Sequence, residues 1–501
     1  MSRKPTYRIF LAALLAAALS ASACGESASA GTEQSPDAGK DSPSETAVDT
    51  LPAEPEYTEK YAGTDFGGET YTFAVISTEF YPNFTGTETN GEPVNDAQYR
   101  RDVWVEEAYN VDIRYEAFDN NDKINPAVQN MVQAGDTAYD CVEAEMAYVL
   151  CPLASKGMLR NLTEVEELDL SQPWWSSSML ETFTIGGKAF ITTGPISFSY
   201  FYIPRVVAFN QRLAADYDIG DLYDVVDKGK WTLDAMYDII KDFSADLDGD
   251  GKMGEDDLWG ASVDEYSAAG FFISAGGVQT AYGSDGAPYF VYTEERNLNI
   301  LNKVASIIGN AELTQKAEEL ANRSGSYNII DKVYTFKNGN ALFLGYGAQA
   351  IAIYLRDMKD DYGIIPVPKY DEAQENYITF GSAFGPSYLS VPKTNTRGKI
   401  NGVVLDSMGY ISRRDVQPLV SEVLLKGKAA RDETSQRMID LIYSDVYLDL
   451  NCSYNFGNSF NLVRDYTMGK TQNFVSGWGS IQKAAEVAMK KTYEQYISPE
   501  E

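Results

Sequence analysis

The chain has 501 residues, which is enough for two or three domains. It carries 73 acidic and 41 basic residues, and the resulting formal charge of −32 argues against binding to nucleic acid or docking on anionic lipid. It contains no histidine, which excludes Ser-His-Asp and Cys-His catalysis, histidine-based zinc sites and a histidine pH switch.

Residues 1–23 have the pattern of a secretory signal peptide. Three basic residues among the first eight precede an apolar run at 9–19, which is shorter than the roughly 20 residues of a membrane helix. The following Ala-Ser-Ala-Cys at 21–24 is similar to a bacterial lipobox, so we predict cleavage before Cys24 and a lipid on its sulfur. Ala21 stands where leucine is commoner, and ordinary secretion after the same small residues is the alternative.

Residues 24–66 are predicted to form a flexible acidic linker after the lipidated cysteine. The segment is rich in Ser, Ala, Glu, Asp, Thr and Pro, and it has few large apolar residues with which to offset the entropy of folding. No later run is long enough to span a bilayer, so we expect the membrane to be contacted through the lipid anchor only.

The folded body begins near Glu69 with the sequence ETYTFAVIS, which is typical of the first strand of a covered sheet. Strand and helix patterns then alternate, which predicts an α/β fold with a mostly parallel sheet. Ligands of such sheets bind beyond the carboxyl ends of the strands. This rule places Phe80, Tyr81 and Glu145 near a cleft, although Glu145 could instead be a capping or salt-bridging carboxylate.

Residues 206–260 contain a buried strand at 206–209, a helix opened by Lys-Trp-Thr at 230–232 and an acidic loop at 246–257. The loop reads D-L-D-G-D-G-K-M-G-E-D-D, which is the ligand order of an EF-hand calcium loop.

The predicted calcium ligands occupy four alternate positions of this loop and its last position. Asp246, Asp248 and Asp250 stand first, third and fifth, Lys252 would offer its backbone carbonyl from the seventh position, and Asp257 would close the site from the twelfth. The closing residue is Asp rather than the longer Glu, and a strand pattern rather than a second helix follows. We predict a structural Ca²⁺, with an acidic turn that binds no metal as the alternative.

Several motifs carry a family resemblance. The sequences AFNQRL, GKWTLDAMYDII and DLWG occur in order within 208–260, and FKNGNALF and DYGIIPVPKYDEAQENY follow at 336–343 and 361–377. In their order and spacing they resemble extracellular solute-binding proteins of bacterial ABC importers (family 1 type), in particular the large sugar-binding lipoproteins of Gram-positive bacteria. The resemblance covers most of the chain from about Thr70 onward.

The resemblance implies a two-lobed, periplasmic-binding-protein-like α/β fold of type II (a Venus flytrap) with hinge crossovers. It places residues 67–200 and 343–385 in lobe 1, and residues 201–342 and 386–501 in lobe 2. The first crossover is expected at about 195–205.

The resemblance also implies candidate ligand contacts. Ser197 and Tyr200 would lie at the floor of the cleft, although Tyr200 could simply pack the hinge. Phe271 and Phe272 would face the cleft and stack on a ligand, with core packing as the alternative. Phe384 is expected near the second crossover.

Tyr346 is our first candidate for ligand contact. It follows a short predicted strand at 341–344 and lies between Gly345 and Gly347. Glycines at the end of a strand let the backbone approach a ligand closely.

The resemblance implies a binding protein rather than an enzyme, and a carbohydrate, which we expect to be an oligosaccharide, as ligand. The 34 tyrosines and the 12% aromatic content are consistent with this, because flat apolar rings with polar edges suit sugars, but core packing also uses them. The expected partner is an ABC permease, the location is the extracellular face of a Gram-positive type membrane, and the protein is expected to be a monomer.

Two other functions remain open. A surface-anchored glycoside hydrolase would need two carboxylates flanking a cleft, and the abundance of carboxylates decides nothing. The motifs G-x-S-x-G, H-E-x-x-H and the P-loop do not occur. A binder of peptides or another polar solute on the same scaffold is the other alternative. Cys141, Cys151 and Cys452 are interpreted as buried thiols, although one pair could form a disulfide.

Overall fold

Two β-sheets organise the chain, and helices cover both. The structure is a computed structural model that describes residues 60–77, 83, 88–420, 433–444 and 446–498. The strands are β1 (Glu69–Ile76), β2 (Val111–Phe118), β3 (Cys141–Glu145), β4 (Arg205–Asn210), β5 (Trp259–Val263), β6 (Thr280–Tyr282), β7 (Pro288–Phe290), β8 (Thr314–Lys316), β9 (Ala341–Gly347), β10 (Tyr362–Ile365), β11 (Thr379–Phe380), β12 (Ser387–Ser390) and β13 (Val446–Tyr447).

The α-helices fill the intervals between the strands. They are α1 (Pro93–Tyr109), α2 (Asn121–Gln133), α3 (Cys151–Ser155), α4 (Ser177–Phe183), α5 (Gln211–Asp216), α6 (Leu222–Asp227), α7 (Leu233–Ile240), α8 (Glu265–Ser274), α9 (Glu295–Ile307), α10 (Tyr334–Lys337), α11 (Gly398–Ile411), α12 (Glu433–Ser444), α13 (Leu450–Tyr454), α14 (Ser459–Thr467) and α15 (Phe474–Ile497).

The first sheet has the strand order β12-β3-β1-β2. Strands β1, β2 and β3 are parallel, and β12 is antiparallel to β3. Alternate residues of β1 point to opposite faces, so Phe73 packs with α1 and α11 while Ala74 packs with α2 and α3. Apolar residues on both faces of β1 are explained by this double covering.

The second sheet has the order β10-β4-β9-β5-β8. Its central strand β9 is buried along its whole length, including Tyr346 beyond the predicted strand at 341–344. Strand β9 pairs antiparallel with β4 and parallel with β5. The carboxyl ends of β5, β8 and β9 therefore share one edge with the start of β4 at Arg205.

The predicted lobe boundaries are wrong for several elements. Strands β9 and β10 lie in 343–385 or overlap it, yet they hydrogen bond to β4 in the second sheet. Strand β12 and helix α11 belong to 386–501, yet β12 extends the first sheet and α11 packs on its core. The reason is the pairing: the apolar run of β9 completes the centre of the second sheet, and β12 covers the outer side of β3.

The predicted linker also ends too late. Tyr61 is 3% exposed, and its hydroxyl donates to Asp406 at 2.7 Å. Lys60 forms an ion pair with the same carboxylate at 3.0 Å. These contacts fix the chain to α11 several residues before the predicted boundary at 66.

Neighbouring segments connect the two sheets. Ser382 N–H donates to the Ile203 carbonyl at 2.8 Å, and Gly381 N–H donates to the Tyr447 carbonyl at 2.8 Å. Strands β11 and β13 pair beside them. The expected first crossover at about 195–205 coincides with the segment that leads into β4.

Two further predictions concern burial and membrane spans. The thiols of Cys141, Cys151 and Cys452 are free and buried, as interpreted from the sequence. Across the described ranges, no helix combines the length and the apolar character that crossing a membrane requires.

Candidate functional site

A polar cavity of about 530 Å³ lies beside the carboxyl edge of the first sheet. Its walls come from the segment that follows β2 and from the π-helical turn Met146–Leu150 that follows β3. The lining residues are Asn120, Asn121, Asp122, Asn125, Pro126, Gln129 and Tyr148. The carboxyl edge of a parallel sheet is the expected place for a ligand site.

The asparagines of this cavity are fixed by local hydrogen bonds. Asn120 caps α2 by accepting from Lys123 N–H at 3.1 Å, and Asn125 Nδ2 donates to the Tyr148 carbonyl at 2.7 Å. Asn121 Nδ2 donates to Glu145 Oε2 at 2.6 Å. Asn121 Oδ1 is buried and has no hydrogen-bond partner among the described residues, so an acceptor is available where the cavity begins.

Glu145 ends β3 next to this cavity. It is 8% exposed, and burial raises its pKa to about 7, although the hydrogen bonds from Asn121 and from the Gly385 backbone oppose the rise. A carboxyl group with this pKa can donate or accept near neutral pH. This position agrees with the prediction that Glu145 lies near a cleft. Among the residues described, no cation forms an ion pair with its carboxylate.

Tyr148 is the exposed aromatic side chain of the cavity, with 54% of its surface accessible. Its ring contacts Phe384 edge-on, with centroids 5.5 Å apart. Phe384 also packs on Tyr266 at 4.6 Å and stacks on Phe460 at 5.8 Å. Tyr148 follows the first sheet and Tyr266 lies in α8 after β5, so Phe384 joins the carboxyl edges of both sheets.

The second-sheet side of this junction is held by a buried ion pair. Arg205 Nη1 lies 3.2 Å from Asp264 Oδ2, and its Nη2 donates to Ser382 Oγ at 3.0 Å. Asp264 also caps α8 by accepting from Ser267 N–H at 2.8 Å. Both ionic side chains are at most 5% exposed, which identifies the pair as part of the scaffold.

Three predicted ligand contacts are buried instead. Phe271 and Phe272 are both 0% exposed and belong to the core around α8. Tyr346 is 3% exposed and packs edge-on against Tyr354 at 6.2 Å. These rings offer no face to a ligand in this structure, so core packing, the alternative given for the two phenylalanines, describes them.

Ser197 is also buried, and it belongs to a hydrogen-bond network that includes Asn83 and Ser199. Tyr200 is half-buried and packs against Phe201, as expected for a residue that packs the hinge. Phe384 lies at the expected second crossover, but it is 8% exposed and belongs to the core, so little of its ring is open to a ligand. Phe80 and Tyr81 lie outside the described residues.

The acidic loop has part of the geometry of a calcium site. Ligand oxygens of Asp246, Asp248 and Asp250 lie within 4.8 Å of one another, and all three side chains are exposed. Asp257 instead closes the loop: its two oxygens accept from Leu247 N–H at 2.8 Å and Gly254 N–H at 2.6 Å. These hydrogen bonds, the Gly254 one first, lower the pKa of Asp257.

Gly251 has a φ of +80°, which a glycine adopts readily at the sharp bend of the loop. Lys252 N–H donates to Asp250 at 2.8 Å, so the seventh position adjoins the Asp250 carboxylate. These three carboxylates suit a hard cation such as Ca²⁺. Like Asp257, each of them accepts at least one backbone hydrogen bond from within the loop.

The sequence analysis did not identify Tyr148 or the asparagines at 120, 121 and 125. The signal was present, because the polar run FDNNDKIN directly follows the pattern of β2 and Tyr148 comes three residues after Glu145. The same rule that selected Glu145 would have selected these residues.

A scan with models of known protein families found no match, and a search of curated proteins found none. Solved structures do match. An ABC substrate-binding protein from Listeria monocytogenes in complex with cycloalternan matches with a TM-score of 0.51 and 13% identity, covering 86% of this chain and 98% of that chain.

UspC of M. tuberculosis matches with a TM-score of 0.52 and 14% identity, covering 84% of this chain and all (100%) of that chain. A sugar transporter from Rhizobium etli, in an open conformation, matches with a TM-score of 0.51 and 13% identity over 86% of this chain and 100% of that chain. At these identities the likeness establishes the fold. The predicted fold class, that of periplasmic-binding-protein-like substrate-binding proteins, is confirmed.

Proposed function

We propose that this chain, which has the fold of ABC substrate-binding proteins, captures a carbohydrate at the carboxyl edges of its two sheets. The observation that carries the proposal is the cavity beside Glu145, where side-chain amides surround one exposed tyrosine ring. Of the similar structures, one is a complex with cycloalternan and another is a sugar transporter.

The chemistry of the cavity suits a polyhydroxylated ligand. Asparagine and glutamine amides both donate and accept, as sugar hydroxyl groups do, and the ring of Tyr148 can pack against the C–H face of a sugar. Glu145, with a pKa of about 7, can donate a hydrogen bond when protonated and accept one when ionised. Affinity would come from a few directed hydrogen bonds around one apolar contact.

The finer parts of the proposal rest on the sequence. The ligand is an oligosaccharide, and Cys24 carries a lipid that holds the protein at the extracellular face of a Gram-positive type membrane. The protein acts as a monomer, breaks no bond in its ligand and delivers it to the transmembrane subunits of an ABC permease.

We also propose that residues 246–257 hold a structural Ca²⁺. Asp246, Asp248 and Asp250 would bind the ion, with the Lys252 carbonyl completing that side, and Asp257 would order the loop through its two backbone hydrogen bonds. The loop joins α7 to the amino end of β5, at the edge of the second sheet opposite to the carboxyl ends of β5, β8 and β9. A bound ion there would stabilise the fold without touching the carbohydrate.

A thermal-shift screen of the full chain with neutral oligosaccharides of different linkage, and with peptides of similar size, tests the function. A ligand at about 100 times its Kd stabilises the folded state by about 2.7 kcal/mol, which gives a measurable rise in Tm. We expect one class of carbohydrate to raise the Tm and to be recovered intact by chromatography.

Other outcomes would contradict the proposal in distinct ways. A carbohydrate that raises the Tm but is recovered as shorter products would identify a glycoside hydrolase. A rise in Tm with peptides alone would keep the fold and reject the carbohydrate.

A further inference from the structure

Arg464 lies beside the aromatic junction of the two sheets, on α14. Its guanidinium is 5.7 Å from the centre of the Tyr266 ring, and it is close enough to the hydroxyl groups of Tyr266 and Tyr148 to interact electrostatically with both. Phe460, one helical turn earlier on the same face, stacks on Phe384. Phe384 also contacts the exposed ring of Tyr148, so this face of α14 lies at the junction that carries Tyr148.

The guanidinium is held loosely by the protein. The nearest carboxylate oxygens, from Glu265 and Asp465, lie 3.5 and 3.6 Å from its Nε, longer than an ordinary N–H···O hydrogen bond. Nε is buried and has no hydrogen-bond partner in the part of the chain that the structure describes. The side chain as a whole remains 20% exposed.

Arg205 provides the comparison, because it lies at the same ring. Its guanidinium is also 5.7 Å from the Tyr266 ring centre, but it is 5% exposed and bonded to Asp264 and Ser382. Arg205 therefore belongs to the scaffold, while Arg464 keeps N–H donors near the junction that carries Tyr148.

From this geometry we propose that Arg464 is a ligand-binding residue that donates paired hydrogen bonds to two adjacent oxygens of a sugar packed on Tyr148. The inference rests on the proposed function and names a further contact of the same site. Two parallel donors of a guanidinium match two neighbouring acceptors, a match that a lysine cannot reproduce.

The surrounding charges favour neutral sugars over acidic ones. Two cations, Arg464 and Lys470, face two carboxylates, Glu265 and Asp465, and Lys470 Nζ lies 3.2 Å from Glu265 Oε2. Because the positive charge is already balanced, the site has no excess attraction for the carboxylate of a uronic acid. Adjacent hydroxyl groups are the oxygens that fit.

Isothermal titration of Arg464→Met and Arg464→Lys in the full chain tests this inference. The probes are the neutral oligosaccharide with the largest thermal shift in the screen above, its deoxy analogues and a uronic-acid counterpart. We expect Arg464→Met to weaken binding of the parent sugar about 10- to 100-fold, which corresponds to losing hydrogen bonds to a charged donor. For the deoxy analogue that lacks a contacted hydroxyl group, the loss of affinity caused by Arg464→Met should be smaller. Arg464→Lys should restore only part of the wild-type affinity for the parent sugar.

Arg212→Met is the matched control, since Arg212 is an ion-paired arginine on α5, at the opposite edge of the second sheet. It should bind like the wild type. Wild-type affinity in Arg464→Met, an equal loss for every deoxy analogue, or tighter wild-type binding of the uronic acid would overturn the inference while leaving carbohydrate binding intact. If the wild type binds no carbohydrate, the proposed function fails as well.

Discussion

Tyr148 and Phe271 show how the same kind of side chain serves two purposes. The ring of Tyr148 is 54% exposed beside the cavity, whereas Phe271 is fully buried under the second sheet. Exposure, rather than aromatic character, decides which ring is available to a ligand.

Replacing Phe271 with alanine should therefore act on stability alone. Removing a fully buried phenylalanine leaves a cavity and costs about 3–5 kcal/mol of unfolding free energy. We expect urea denaturation to show this loss, and carbohydrate titration of the folded variant to give an unchanged Kd. A large loss of affinity with unchanged stability would restore Phe271 to the ligand site.

Glu145 predicts a pH dependence of stability. Burial raises its pKa from an ordinary 4.5 to about 7, so the folded state binds this proton more tightly than the unfolded state. The free energy of unfolding should therefore fall as the pH rises from about 4.5 to about 7. In Glu145→Gln, which cannot ionise, urea denaturation at the two ends of this range should show a smaller fall, by on the order of 1–3 kcal/mol.

Glu143 is the matched control, because it lies on the same strand and burial also raises its pKa to about 7. Glu143→Gln should reduce the fall in stability in the same way. Only Glu145→Gln should change the pH dependence of carbohydrate binding, because only Glu145 bonds to the cavity residue Asn121. An equal effect of both variants on binding would place Glu145 in the scaffold.

Sequence reasoning located Glu145 because a simple rule, that ligands bind after parallel strands, needs only local patterns. It misplaced Tyr346 because the same strand carries side chains to both faces, and the face that is covered depends on distant elements. The ring of Tyr346 packs with Tyr354 in a core cluster that also contains Val206 of β4 and Ile442 of α12, which no local pattern reveals.

At the scale of elements, the acidic loop makes a separate prediction. Calcium should raise the Tm of the wild-type chain, since the ion would relieve repulsion among three converging carboxylates. Asp248→Asn should lose this response, while Asp216→Asn, on the exposed surface of α5, should keep it. A Tm that is the same in calcium and in chelator would make residues 246–257 a turn that binds no metal.

Element identity was more predictable than sheet membership. The strand pattern at 341–344 is present within β9, and the strand expected after the acidic loop is β5. The sheet to which β9 belongs depends on pairing with β4, more than a hundred residues earlier. Such pairing is non-local, so no local pattern could correct the lobes that the family resemblance implied for most of β9 and for β12.

At the scale of the whole molecule, two covered sheets meet at a junction built from crossover segments. Phe384 contacts Tyr148 from one sheet and Tyr266 from the other, and Arg205 bonds to Ser382 between them. A ligand at this edge would touch groups supplied by both sheets, which is how binding could be coupled to their relative position.

Calorimetric titration of one oligosaccharide into the wild type, Tyr148→Ala and Tyr217→Ala tests the central claim most directly. Tyr217 is the control because it is similarly exposed, at 50%, but lies far from the cavity, at the end of α5. Since β4 is antiparallel to β9, α5 follows β4 at the edge of the second sheet opposite to the carboxyl end of β9. Losing an aromatic contact of about 1.5 kcal/mol should weaken binding to Tyr148→Ala about 10-fold or more, with Tyr217→Ala unchanged. Equal affinity in all three proteins would show that the carbohydrate does not bind at the edge of the first sheet.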